Sequence, residues 1–218
     1  MKRADFDAAI VDLDGTMVDT VGDFVVALGR TLGELGLPPV DAAFVARTVG
    51  RGSEHLIRRT LDAVGGDPAL YDRAWERYQH HYLEINGRHS VVYAGVREGL
   101  AALQASGLKL ACLTNKPTAF AEPLLRDKGL AGYFSVVRGG DAFERKKPDP
   151  LPLLRTCEAL GSVPARTLVI GDSRNDAQAA RAAGTPVVLV TYGYNHGEPV
   201  RDVDADRWVD RLDELALA

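Results

Sequence analysis

The chain has 218 residues, 46% hydrophobic and 26% charged, the make-up of a globular protein that can bury its own core. A formal net charge of −4 argues against nucleic acid or an anionic membrane as the main partner, because neither would attract it. Two cysteines, Cys112 and Cys157, without metal-type spacing point to a reducing, cytoplasmic setting. No apolar run approaches the roughly 20 residues of a membrane helix, and the polar start Met1–Asp5 lacks the pattern of a signal peptide.

The first predicted element is a buried strand over Ala8-Ala9-Ile10-Val11, a short apolar run ending in Asp12-Leu13-Asp14-Gly15-Thr16. From Thr20 to Val91 the pattern is helical and shows no good strand run. Phe24, Leu28, Thr31, Leu32 and Leu35 recur at helical spacing, as do Leu56, Ile57 and Leu61, and then Tyr71, Trp75, Tyr78 and Tyr82. Further strands are expected over Leu108–Leu113, Thr167–Ile170 and Val187–Val190. Between them helices are expected over Val96–Ala105, Pro117–Lys128, Leu151–Leu160 and Asn175–Ala183, the last three stopped by Gly129, Gly161 and Gly184. Alternation of this kind predicts an α/β fold, a Rossmann-like parallel sheet with helices on both faces, carrying an inserted all-helical domain. The division is residues 1–18 and 92–218 for the core and 19–91 for the insertion, with hinges near Asp19 and Tyr93.

Four chemistry-bearing segments follow predicted strands, at the carboxyl ends where open parallel sheets bind ligands. In Asp12-Leu13-Asp14-Gly15-Thr16, two carboxylates can converge on one cation, Gly15 lets the backbone turn, and an aspartate can attack phosphorus to form an acyl phosphate. Thr114-Asn115-Lys116 offers a hydroxyl and an amide at a helix start, which suits an anion but equally suits a cap. Lys146-Lys147-Pro148-Asp149-Pro150 places a lysine in a stiff turn. Gly171-Asp172-Ser173-Arg174-Asn175-Asp176 adds two carboxylates. This many acidic oxygens suits a hard cation such as Mg²⁺.

Together, in this order, the four segments resemble the sequence motifs of the haloacid dehalogenase superfamily, and the insertion resembles that family's helical cap. Asp14 matches the phosphatase and phosphomutase branches, which use a second aspartate. Val49-Gly50-Arg51-Gly52, Gly140-Asp141 and Thr191-Tyr192-Gly193-Tyr194-Asn195 resemble the phosphoglycolate phosphatase-like group, although Val11, Met17 and Ala94 depart from the usual pattern. The resemblance implies a phosphomonoester hydrolase with Asp12, Asp14, Thr114 and Lys147 catalytic. Asp12 is the nucleophile and Asp14 the acid/base. Gly15, Thr16, Arg51 and Asn115 are expected to bind substrate or phosphate. Asp12, Asp14 (through its backbone carbonyl) and Asp172 are expected to hold Mg²⁺, with Asp176 behind them.

The implied partner is a small phosphorylated metabolite, 2-phosphoglycolate first, bound by a monomer or homodimer. Arg51, between two glycines, is expected to enter the site and pair with a substrate carboxylate; a surface arginine in a flexible turn would read the same way. The alternatives are a phosphosugar mutase on the same scaffold or a phosphatase for another sugar phosphate or nucleotide. A silent binding protein is disfavoured because no motif position is lost. The five histidines show no ligand spacing to a carboxylate cluster.

Overall fold

The computed structural model describes residues 1–215. Strand β1 (Ala8–Val11) leads to a short strand β2 (Val18–Asp19). Four helices follow, α1 (Val21–Glu34), α2 (Ala42–Thr48), α3 (Ser53–Ala63) and α4 (Tyr71–Ile85), and then strand β3 (Val91–Val92). The rest alternates: α5 (Val96–Ala105), β4 (Lys109–Leu113), α6 (Thr118–Asp127), β5 (Val136–Arg138), α7 (Leu151–Leu160), β6 (Thr167–Gly171), α8 (Arg174–Ala183), β7 (Val187–Val190) and β8 (Arg207–Val209).

Six strands form one sheet in the order β5-β4-β1-β6-β7-β8, and every pairing is parallel. Counting only these strands, the order is 3-2-1-4-5-6, that of a doubly wound sheet. The chain leaves β1 toward β4 on one side and toward β6 on the other, so a crevice opens at the carboxyl end of β1, where Asp12 lies. Side-chain alternation serves both faces. Ala9, Val11, Cys112 and Ile170 pack with Leu100 of α5 and Leu124 of α6. Ala8, Ile10, Ala111 and Val169 pack with Leu153 of α7 and Ala180 of α8. Both faces being covered explains why these strands read as unbroken apolar runs.

Helices α1–α4 bury a third core of their own, with Phe24, Leu28, Leu56, Ile57, Tyr78 and Tyr82 at its centre. Phe120 of α6 and Tyr194 of the loop after β7 join it, tying the helical layer to the sheet layer. At the two crossings between the layers, β2 and β3 pair antiparallel, Val18 opposite Val92 and Asp19 opposite Val91. Both cysteines are buried and free. No helix among the described residues is long and apolar enough to cross a membrane.

Candidate active site

Asp12 follows β1 directly, and its N–H donates to the Ile170 carbonyl at 2.9 Å, continuing the pairing with β6 for one more residue. That register sets Asp12 beside the loops after β4 and β6. Lys147 reaches in from the turn before α7. Its ammonium lies 3.0 Å from Asp12 Oδ1, donates to Asp176 Oδ1 at 2.7 Å and donates to the Leu113 carbonyl at 3.0 Å. The Asp12 contact is an ion pair rather than an aligned hydrogen bond, so Asp12 Oδ1 is buried without a hydrogen-bond donor. The Asp12 side chain as a whole keeps 12% exposure, enough to face a pocket.

Burial pushes the Asp12 carboxyl up to about 7; the Lys147 ammonium pulls it down and Asp176 adds to the rise. Burial likewise holds Asp172 well above the usual carboxylate range, with Asp176 and Asp12 adding repulsion. For Lys147 burial opposes the charge, but Asp12 and Asp176 outweigh it and hold the amine above its ordinary value.

One oxygen each from Asp12, Asp172 and Asp176 lie within 4.8 Å of one another. Three carboxylates so close, with an orphaned oxygen on Asp12, fit a hard divalent cation, and no Cys or His joins them. Asp176 belongs to the cluster, and it is also tied down: Oδ1 takes Lys147 and Oδ2 accepts from the Ser173 hydroxyl at 2.8 Å, capping α8. The Asp14 carboxylate, expected to act as acid/base and to leave the metal to its backbone carbonyl, lies outside this cluster. Its Oδ1 accepts from Thr20 Oγ1 at 2.8 Å and from Lys116 Nζ at 3.0 Å.

Gly15 and Thr16, expected against phosphate, both lie against Asp172. Thr16 Oγ1 donates to Asp172 Oδ1 at 2.9 Å, and Gly15 packs flat against the same carboxylate. The Tyr194 N–H donates to Asp172 Oδ2 at 2.6 Å. Asn115 also spends its side chain on the protein. Its amide donates to the carbonyls of Gly50 and Lys147, both at 2.8 Å, and its oxygen accepts from the Lys147 N–H at 3.0 Å.

Asp12, Asp14, Thr114, Asn115 and Lys116 line one small pocket under the helical layer, which contributes Phe24, Val49, Gly50, Gly52, Ser53 and Leu56. Contacts across its rim hold the two layers together: Asn115 to Gly50, Lys146 to Glu54 at 2.6 Å and Asn175 to Gly50 at 3.2 Å. Arg51 is not in this pocket. Its two glycine neighbours face inward, while Arg51 is exposed and lines a separate groove with Arg47, His55, Arg59, Arg174 and His196. None of the histidines joins the carboxylate cluster; His80 and His81 group instead with Glu84 on α4.

The sequence reading left out Lys116, Thr20 and Tyr194. Lys116 stands in the Thr114-Asn115-Lys116 segment, but its partners, Asp14 and Tyr82, are distant in the chain. Tyr194 sits in a segment already singled out; its hydroxyl accepts from the Thr20 N–H at 2.9 Å and donates to Asp19. It therefore fastens the start of α1 to the loop that holds Asp172.

A family model described as haloacid dehalogenase-like hydrolase matches residues 9–190. The chain belongs to that family. It is 46% identical to a phosphoglycolate phosphatase of Thiobacillus denitrificans, over 96% of this chain and 94% of that one. A phosphoglycolate phosphatase of Nitrosospira multiformis is 45% identical over 95% and 92%. The crystal structure of a predicted phosphoglycolate phosphatase from Haemophilus somnus superposes with a TM-score of 0.93 at 32% identity, covering 99% of this chain and 97% of that one. This member of the haloacid dehalogenase-like hydrolases thus matches its relatives across nearly its whole length, helical layer included.

Proposed function

We propose that the chain is a Mg²⁺-dependent phosphomonoester hydrolase that works through an aspartyl phosphate on Asp12, with 2-phosphoglycolate as substrate. The observation that carries this reading is Asp12 itself. It is a carboxylate at the end of the central strand, with an orphaned oxygen, a lysine beside it and a second aspartate on the same small pocket. The choice of substrate is supported by the phosphoglycolate phosphatases that share nearly half their residues with this chain.

In the first step Asp12 attacks phosphorus, the bond from phosphorus to the leaving oxygen breaks, and Asp14 gives that oxygen its proton. In the second, Asp14 takes a proton from water, the water oxygen bonds to phosphorus, and the Asp12–phosphorus bond breaks to release phosphate. The Thr114 hydroxyl and the Lys147 ammonium hold the phosphoryl oxygens, so the chain's own work is positioning and charge neutralisation. Asp12, Asp172 and the Asp14 carbonyl would hold Mg²⁺, with Asp176 fixed by Lys147 and Ser173 beside them; when bound, the ion offsets the charge that these groups and phosphate bring together.

Residues 19–91 are read as a cap that closes over the leaving group, hinged where β2 and β3 pair. Water is the acceptor in this reading, since the relatives named above are phosphatases. Phosphate release from 2-phosphoglycolate with Mg²⁺, stoichiometric with substrate loss, is the test. Loss of substrate without free phosphate, or interconversion of hexose phosphates, would overturn it in favour of a mutase.

A further inference from the structure

Lys116 is among the most deeply buried charges of the chain, with 2% of its side chain exposed. Its ammonium donates to Asp14 Oδ1 at 3.0 Å and to the Tyr82 hydroxyl at 2.5 Å. The rings of Phe24 and Tyr82 lie 4.5 and 4.6 Å from the nitrogen, within the range of a cation–π contact. Asp14 and Lys116 belong to the core, whereas Phe24 is on α1 and Tyr82 on α4. The box around the ammonium is therefore complete only when the helical layer is seated.

An ammonium carries three N–H donors; besides the short bonds to Asp14 Oδ1 and the Tyr82 hydroxyl, Lys116 reaches Asp14 Oδ2 only at 3.4 Å, a long contact that a better acceptor can replace. Among the described residues lining the pocket, Lys116 is the one that carries a positive charge. Lys147 stands beside Asp12 and Asp176 at the phosphoryl end and outside this lining, and Arg51 faces another groove. The pocket thus offers one cation beside the group that protonates the leaving oxygen. Val49 and Leu56, also on its walls, are apolar and offer nothing to an anion.

We infer that Lys116 selects the substrate: it receives the carboxylate of a short α-phosphoryloxy acid, the class to which 2-phosphoglycolate belongs. The inference rests on the phosphatase reading above and deepens it. In such an acid one carbon separates the carboxylate from the leaving oxygen. The carboxylate is therefore held within one hydrogen-bond length of whatever serves that oxygen, and Lys116 occupies that place relative to Asp14. Two lysines then divide the two anionic ends, Lys147 at the phosphoryl group and Lys116 at the carboxylate. Longer acids would carry their carboxylate past Lys116 toward the apolar Val49 and Leu56, and esters without a carboxylate would leave the third donor on its long contact with Asp14 Oδ2.

The first test needs no variant. With Mg²⁺, kcat/KM of the wild-type protein for 2-phosphoglycolate is compared with that for its methyl ester, in which the carboxylate is neutral, and for ethyl phosphate. Both should be poorer substrates by tenfold or more. Equal rates on all three, with phosphate released, would overturn the role of Lys116 and leave the phosphatase reading standing. Release from none of them would overturn the phosphatase reading and the inference with it. The second test is Lys116→Met. Because Lys116 also holds Asp14, all rates should fall, but the ratio of kcat/KM between 2-phosphoglycolate and ethyl phosphate should collapse by at least tenfold, chiefly through KM. Glycolate should compete with ethyl phosphate in the wild type and at least tenfold more weakly in the variant. An unchanged ratio and unchanged glycolate inhibition would reduce Lys116 to a positioning residue for Asp14.

Discussion

Gly15 and Asp172 approach so closely that a Cβ on Gly15 would lie 2.3 Å from Asp172 Oδ2. Gly15 also holds φ at +83°, where a side chain is strained in any case. The glycine after Asp14 is thus set by the carboxylate across the site as much as by the turn. Gly15→Ala should cost about 1–2 kcal/mol for the backbone alone and should push Asp172 out of line with Asp12. The expected result is a lower melting temperature, Mg²⁺ affinity weakened by tenfold or more and a matching loss of kcat/KM. Unchanged Mg²⁺ affinity in the folded variant would show that Asp172 is not confined in this way.

Asp12→Asn keeps the shape of the side chain and removes the nucleophile. Turnover should be abolished, while the sheet, in which only the Asp12 backbone takes part, stays intact. Without metal, the variant should melt at the same temperature as the parent or higher, since a carboxylate whose burial outweighs its attraction to Lys147 is gone. Phosphate release and a melting curve check both halves. Hydrolysis within a few-fold of the parent would eliminate Asp12 as nucleophile.

The central strands were legible because they are buried on both faces and carry no polar interruption. Helices α5 and α7 were legible to the residue because apolar spacing and a following turn agree. Strands β5 and β8 escaped notice for the opposite reason: they lie at the sheet edges, are three residues long and are largely half-buried, so neither run length nor alternation marks them. In the site, motif order pointed to Asp12, Lys147 and Asp172, which the structure brings together. It did not reveal that Asp176 shares the carboxylate cluster while Asp14 turns to Lys116. Asp12 and Asp14 line the same pocket, but the partners that draw Asp14 away from the cluster, 102 positions away for Lys116 and 6 for Thr20, are set by packing. Gly50 and Gly52 do reach the pocket; which way Arg51 would point between them was not encoded in the spacing.

Arg51 therefore separates two accounts of specificity. Its side chain is exposed and belongs to the groove with Arg47 and Arg59 rather than to the pocket. A surface substitution of this kind changes free energies by about 0.5 kcal/mol or less. Arg51→Ala should accordingly alter kcat/KM by no more than about threefold, for 2-phosphoglycolate and p-nitrophenyl phosphate alike. A selective tenfold loss on 2-phosphoglycolate would mean that Arg51 swings into the pocket during turnover.

The carboxylate cluster makes stability, metal and pH interdependent. Without metal, burial pushes Asp12 up from 3.8 to about 7, and Asp172 moves in the same direction. A carboxyl whose pKa is raised by folding favours the folded state in its protonated form. That contribution is fully present below the ordinary value of 3.8 and is lost as pH rises through about 7. The chelated protein should consequently melt at a lower temperature at about pH 8 than at about pH 6. Metal reverses the slope. A divalent ion binds the ionised carboxylates, so protons compete with it, and its stabilisation grows as they leave. The rise in melting temperature on adding Mg²⁺ should be larger at the higher pH, and Asp12→Asn should flatten both trends. Thermal melts with chelator and with Mg²⁺ across this interval give the answer without any assay of turnover. A Mg²⁺ increment that does not change with pH, or a chelated protein that becomes more stable as pH rises, would show that Asp12 and Asp172 are already ionised in the metal-free fold.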